Sequence, residues 1–160
     1  MRPIAILAIA ILAAFFMPWI TVTQKDRQGL EVAGSATGLD MALHVDKFDQ
    51  YFGGTASKSL GNISISVWFW ALPALALATA LTAGKGLPAR CLGLLTGLYP
   101  FGWLTFGYLQ IPADKRSESL KWLGDHFSSF VGVGAYVILL AGLILIVLSL
   151  AGIGASTDEE

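Results

Sequence analysis

From Phe127 to Thr157 the chain reads FSSFVGVGAYVILLAGLILIVLSLAGIGAST, with no Asp, Glu, Lys, Arg or His at any position. A helix needs roughly 20 apolar residues to cross about 30 Å of hydrocarbon, and this stretch exceeds that length. Pro3 to Gln24, Ser59 to Gly84 and Cys91 to Ala113 are charge-free in the same way. A closed β-barrel is the other structure that satisfies every backbone group in lipid, but its strands alternate apolar and polar residues. The run Ile4 to Phe16 does not alternate. The sequence therefore reads as an all-α membrane protein, a single membrane domain over 1–160. It predicts a four-transmembrane-helix bundle with helices near 3–22, 64–84, 89–109 and 130–153, outward segments 23–63 and 110–129, a small extramembrane hairpin and amphipathic helices.

Composition agrees with lipid as the solvent. Of 160 residues 55% are hydrophobic and 13% charged, where a soluble domain carries about 25% charged residues. The mean hydropathy is +0.68. A net charge of -1 without a clustered basic surface argues against nucleic acid as a partner. The single cysteine, Cys91, cannot close an internal disulfide. Arg2 before an apolar run has the look of a signal peptide, but the run is long for one and lacks an A-x-A site before Pro18-Trp19. An uncleaved signal anchor is the expectation.

With four crossings, the termini and the short Lys85-Gly86-Leu87-Pro88 turn share one side, and segments 23–63 and 110–129 share the other. The turn side is acid-free and basic, carrying Lys85, Arg90 and Arg2. Lys25, Arg27, Lys47, Lys58, Lys115, Arg116 and Lys121 on the other side are interspersed with acids. Weighing charge density close to the helix ends places the termini in the cytoplasm.

The outward segments carry their own patterns. Ile20 to Gln24 and Leu30 to Ala33 alternate around Lys25 to Gly29, which predicts a hairpin whose first strand continues out of helix 1. Met41, Val45, Phe48 and Phe52 recur at helical spacing, which predicts an amphipathic helix near 39–52 with Asp40, His44 and Lys47 on its other flank. Leu120, Leu123, Phe127 and Phe130 do the same after Pro112, with Asp114 as a candidate N-cap.

This layout resembles the claudin-type arrangement in topology: four helices, a large first outward segment opening with a strand, and a smaller second one. The paired cysteines of that family's first segment are missing, so the resemblance implies nothing about a paracellular barrier. Pro18-Trp19-Ile20-Thr21-Val22 followed by Ala36-Thr37-Gly38-Leu39-Asp40 is similar to the start of small uncharacterised bacterial four-helix membrane proteins. That resemblance implies a bacterial inner membrane and attaches no function.

No ionisable residue interrupts the four stretches, whereas pumps and intramembrane proteases hold such groups at membrane depth. The chain is therefore expected not to be an enzyme and to need no cofactor. An oligomeric channel would have to be lined by Ser64, Ser66, Thr79, Thr82, Thr96, Thr105 or Tyr99. Asp40, His44, Asp46, Asp49, Asp125 and His126 fall on one side but in no metal-binding spacing, so they read as a solvated acidic surface and no metal site is expected. Trp19, Trp68, Trp70, Trp103 and Trp122 lie toward helix ends and read as membrane-interface anchors. Trp68 and Trp70 cannot share a helix face, so one of them is open to a protein contact.

Gly93, Thr96 and Gly97 form a small-residue strip, and Gly132, Gly134, Ala135 and Ala141-Gly142 a second smooth patch. Such strips admit close helix contact, within one chain or with a partner. Pro73 and Pro100 inside helices favour kinks that shape a groove. The leading functional expectation is a non-catalytic accessory or assembly subunit beside other integral membrane subunits. The alternative is a self-standing lipid- or small-ligand-binding membrane protein, with membrane lipid as the common partner of both.

Overall fold

The computed structural model describes residues 2–25, 31–44, 65–110, 113–118, 120–121, 124–125 and 131–152. Its elements are α1 (Pro3–Ala14), β1 (Pro18–Lys25), β2 (Glu31–Thr37), α2 (Gly38–Leu43), α3 (Ile65–Thr82), α4 (Leu87–Gln110), a 3-10 turn (Ala113–Lys115) and α5 (Val133–Ala151). The four longer apolar helices close a ring, in which α1 packs on α3, α3 on α4, α4 on α5 and α5 on α1.

The ring is filled by small side chains. Ala8, Ala14, Ala76, Ala89 and Ala141 are buried with Ile4, Ile11, Leu72, Ile138 and Leu145, while Leu77, Leu81, Leu140, Leu143 and Leu150 are exposed. At the α4–α5 crossing the backbones touch. A β-carbon on Gly97 would sit 2.7 Å from the Gly142 carbonyl oxygen, and one on Gly142 would sit 3.1 Å from that of Gly97. Between α3 and α4 the buried hydroxyls of Thr79 and Thr96 bond each other at 2.7 Å. Pairing both removes the cost of burying either alone.

The first helix is shorter than the sequence predicts. It ends at Ala14, and residues expected as helix up to 22 turn through Phe15 to Met17 into β1. The reason is local. Pro18 has no N–H for the carbonyl of Ala14 four residues back and biases Met17 out of the helical region. The Trp19 indole N–H donates to that carbonyl instead, at 2.9 Å. At about 1.5 Å per residue, the 12 residues of α1 cover about 18 Å.

The expected hairpin is present and longer than its alternation indicates: β1 and β2 pair antiparallel from Pro18↔Thr37 to Lys25↔Glu31. Its base is tied to α5 by an antiparallel bridge between Ile20 and Val131 and by the Gly132 N–H donating to the Trp19 carbonyl at 2.7 Å. Beyond β2, Thr37 and Asp40 form a capping box that starts α2. The Leu39 N–H donates to the Phe15 carbonyl, which docks α2 on the end of α1.

The amphipathic helix expected near 39–52 is corrected to the short α2, which ends at Leu43 with His44 out of helical geometry; Met41 is buried in it, and Val45, Phe48 and Phe52 lie outside the described residues. In the segment 110–129, Asp114 lies within the 3-10 turn, so its expected place as a helix N-cap is corrected by one short turn preceding the helical residues 116–118. Leu123, Phe127 and Phe130 lie outside the described residues.

By length and composition, one helix among the described residues, Val133–Ala151 with mean hydropathy 2.8, is long and apolar enough to cross a membrane. Pro3–Ala14 and Val67–Thr82 are apolar but shorter.

Candidate functional site

The hairpin end of the ring, here called the mouth, carries a chain of aromatic contacts. Trp70 meets Phe15 with centroids 5.9 Å apart, Phe15 meets Trp19 edge-on at 5.8 Å, and Trp19 meets Phe69 at 6.2 Å. Phe69 stacks on Trp103 at 5.4 Å, and Trp103 meets Trp68 and Phe106 edge-on, both at 6.5 Å. These separations and tilts are those in which aromatic quadrupoles attract.

The rings border a half-open apolar cavity of about 200 Å³ between α3, α4 and α5. Its wall takes Trp19 from β1, Trp68, Phe69 and Leu72 from α3, Tyr99, Pro100, Trp103 and Leu104 from α4, and Ala135, Ile138 and Leu139 from α5. A second hollow of about 330 Å³ lies on the other side of the wall formed by Trp68, Tyr99 and Trp103, bordered by Leu95, Leu98, Gly102 and Phe106.

Two prolines prepare this space. Pro73 offers no N–H to the Phe69 carbonyl, and Pro100 none to that of Thr96, which loosens one turn in each facing helix. In the loosened turn of α3 the Trp68 carbonyl accepts a hydrogen bond from the Tyr99 hydroxyl. Among the described residues the Trp68 indole nitrogen is buried without a hydrogen-bond partner. Tyr99 carries the one ionisable group of the cavity wall, and its hydroxyl is committed to α3. What the site can do chemically is enclose an apolar body against aromatic faces.

The structure gathers four of the five expected tryptophan anchors, Trp19, Trp68, Trp70 and Trp103, into this one cluster. Trp70 remains 45% exposed while Trp68 faces protein, the division their spacing requires. Trp122 lies outside the described residues.

The small-residue strips go elsewhere. Gly93 faces the Ser149 side chain, Gly97 faces Gly142 and Ile146, and Thr96 faces Thr79, so this strip is consumed inside the chain. Gly132 sits against Pro18, Gly134 lies under the Ala14 carbonyl and Trp19, and Ala135 reaches the cavity wall. The Thr82 and Thr105 hydroxyls bond carbonyls of their own helices.

Asp40 serves the capping box, His44 and Asp125 are exposed, and Asp46, Asp49 and His126 lie outside the described residues. Among the described residues no three His, Cys, Asp or Glu side chains gather. The hydrogen bonds from the Thr37 backbone N–H and hydroxyl hold the Asp40 carboxyl below the usual carboxylate range.

The groove expected from Pro73 and Pro100 lies here, but its aromatic wall residues are not among those expected to line it. Its signal was the coincidence of an in-helix proline within five residues of paired aromatics in both Ser59 to Gly84 and Cys91 to Ala113.

No protein family, no curated protein and no solved structure matches this chain.

Proposed function

We propose that the chain is an integral membrane protein in which α1, α3, α4 and α5 cross the bilayer, and that it binds an apolar ligand, lipid or small molecule, in the aromatic cavity. The observation that carries the binding reading is the cavity: about 200 Å³ with walls from three helices and the hairpin, and no acid, base or nucleophile beyond the committed Tyr99 hydroxyl. Pockets for apolar ligands have such walls, with few polar groups.

The membrane reading is supported by an inside-out distribution. Leu77, Leu81, Leu140, Leu143 and Leu150 are exposed, while Ala8, Ala76, Ala141, Thr79 and Thr96 are among the buried residues, a distribution that suits helices that associate by close packing in lipid. At 1.5 Å per residue α3, α4 and α5 reach about 27, 36 and 28 Å, close to the hydrocarbon thickness. The shorter α1 is completed by Pro18 to Val22, an apolar strand whose backbone partners are β2 and the start of α5. Irregular backbone at that depth is tolerated where protein covers it. Arg2, Lys85 and Arg90 at the opposite end favour cytoplasmic termini, and the likeness to small bacterial proteins favours a bacterial inner membrane.

Extraction in mild detergent followed by native mass spectrometry tests the function. A binder runs alone or as a small homo-oligomer carrying an apolar adduct, and Ala135→Phe, which fills the cavity, sheds the adduct without releasing a partner. Stoichiometric co-migration with heavier membrane proteins, with no adduct, would instead favour the accessory-subunit function.

A further inference from the structure

Arg2, Lys85 and Arg90 all lie at the end of the ring opposite the mouth, where the described residues include no acid. The Arg2 guanidinium lies on Gly84, which has φ +93° and leaves no room for a β-carbon beneath it. Lys85 is the next residue and is exposed. Arg90, in the first turn of α4, donates from Nε to the Ser149 carbonyl at 3.0 Å and from Nη2 to the Leu150 carbonyl at 3.2 Å. Arg90 is thereby fixed on the last turn of α5.

Arg2 has no such anchor: its Nη1 is buried without a hydrogen-bond partner. A half-buried cation beside a second cation is unfavourable until an anion joins them. The surface around them is apolar, since Leu81, Leu87 and Leu150 are all exposed.

We propose that this corner binds the phosphate group of an anionic phospholipid. Arg2 and Lys85 take the phosphate, Arg90 adds positive charge from its fixed position, and the acyl chains run along the exposed leucines. Inorganic phosphate shares the headgroup chemistry, but a free anion gains nothing from the leucines, so the lipid is the source assigned. The site is separate from the aromatic cavity and rests only on the membrane reading.

Native mass spectrometry of the full chain in detergent, titrated with dioleoyl phosphatidylglycerol or dioleoyl phosphatidylcholine, tests it. The anionic lipid is expected to bind about tenfold tighter or more. The double variant Arg2→Gln/Lys85→Gln is expected to lose about thirtyfold of that affinity, at about 1 kcal/mol of headgroup attraction per basic residue, with its melt in lipid-free detergent no lower than the parent's. Equal affinity for the two lipids, or an unaltered phosphatidylglycerol affinity in the variant, overturns the proposal. Millimolar inorganic phosphate raising the melting temperature as far as phosphatidylglycerol does would overturn the lipid source. An earlier lipid-free melt on neutralising Asp158, Glu159 and Glu160 would assign the corner to the chain's own tail. A chain recovered from the soluble fraction ends the membrane reading itself, whereas a membrane-extracted chain indifferent to headgroup charge ends this assignment alone.

Discussion

Gly97 holds α4 and α5 at the distance where one backbone meets the other. A leucine there would place its β-carbon 2.7 Å from both the Gly142 carbonyl oxygen and Ile146 Cγ1. Overpacking of that kind costs about 1 to 3 kcal/mol, and with backbone as the obstacle the upper end applies. Gly97→Leu is therefore expected to melt earlier as an isolated chain in detergent. Gly102→Leu, where a β-carbon meets nothing within 4 Å, is the matched control and should melt like the parent. The sequence made Gly93 and Gly97 legible as a close-packing strip but left its partner open, because the register of α4 against α5 is set by Gly142 and Ser149 in a different helix.

Asp40 gives a pH-dependent counterpart. Its carboxyl is held down by the backbone and hydroxyl hydrogen bonds of Thr37. A lowered folded-state pKa contributes stability that is present above the ordinary carboxylate value of about 3.9 and is lost as pH falls through the folded value. Protection of the Thr37 amide, which donates to the Asp40 carboxylate, should thus fall relative to its intrinsic exchange rate as the pH is lowered below about 4. Thr37→Ala loses the hydroxyl and about 1 kcal/mol of cap but keeps the backbone donor to Asp40, so protection should be lower at neutral pH and the acid step smaller than in the parent.

Among the elements, the junction of α1 and β1 departs most from what the sequence predicts. Absence of charge from Pro3 to Gln24 reports what the segment can be buried in, and a helix and a covered strand satisfy it equally. Pro18 was the visible sign of a break. What completes the break is the Trp19 indole on the Ala14 carbonyl, a side-chain contact that hydropathy does not register. Trp19→Phe keeps an aromatic ring against Phe15 and Phe69 but removes the donor. Leaving the Ala14 carbonyl with one bond fewer, from Met17 alone, is expected to cost about 1 kcal/mol. A melt shifted downward with the far-ultraviolet helix signal retained is the expected result. A melt equal to the parent would show that the indole bond does not hold the junction. By contrast α3, α4 and α5 begin and end within about three residues of their expected limits, with Gly84 and Gly86 at positive φ in the turn between α3 and α4 and Gly152 at positive φ just after α5.

Across the whole molecule, composition made the apolar helices legible, whereas the two prolines pointed to a groove without naming its aromatic walls. Five tryptophans near helix ends read as separate interface anchors. Only the packing of α3 on α4 brings Phe69 onto Trp103 and closes a cavity between them. The same packing buries Ala76, Ala89 and Ala141 and leaves Leu77, Leu81, Leu140, Leu143 and Leu150 exposed. If the four helices cross a bilayer, the Lys85 turn and the 3-10 turn at Ala113–Lys115 lie on opposite sides of it.

Single cysteines at Lys85 and Ser117, both exposed, introduced into a Cys91→Ser background, decide this. Labelled in intact spheroplasts with a membrane-impermeant maleimide, Ser117→Cys should react at once and Lys85→Cys only after the membrane is permeabilised. Both cysteines reacting from the same side would contradict a four-crossing protein.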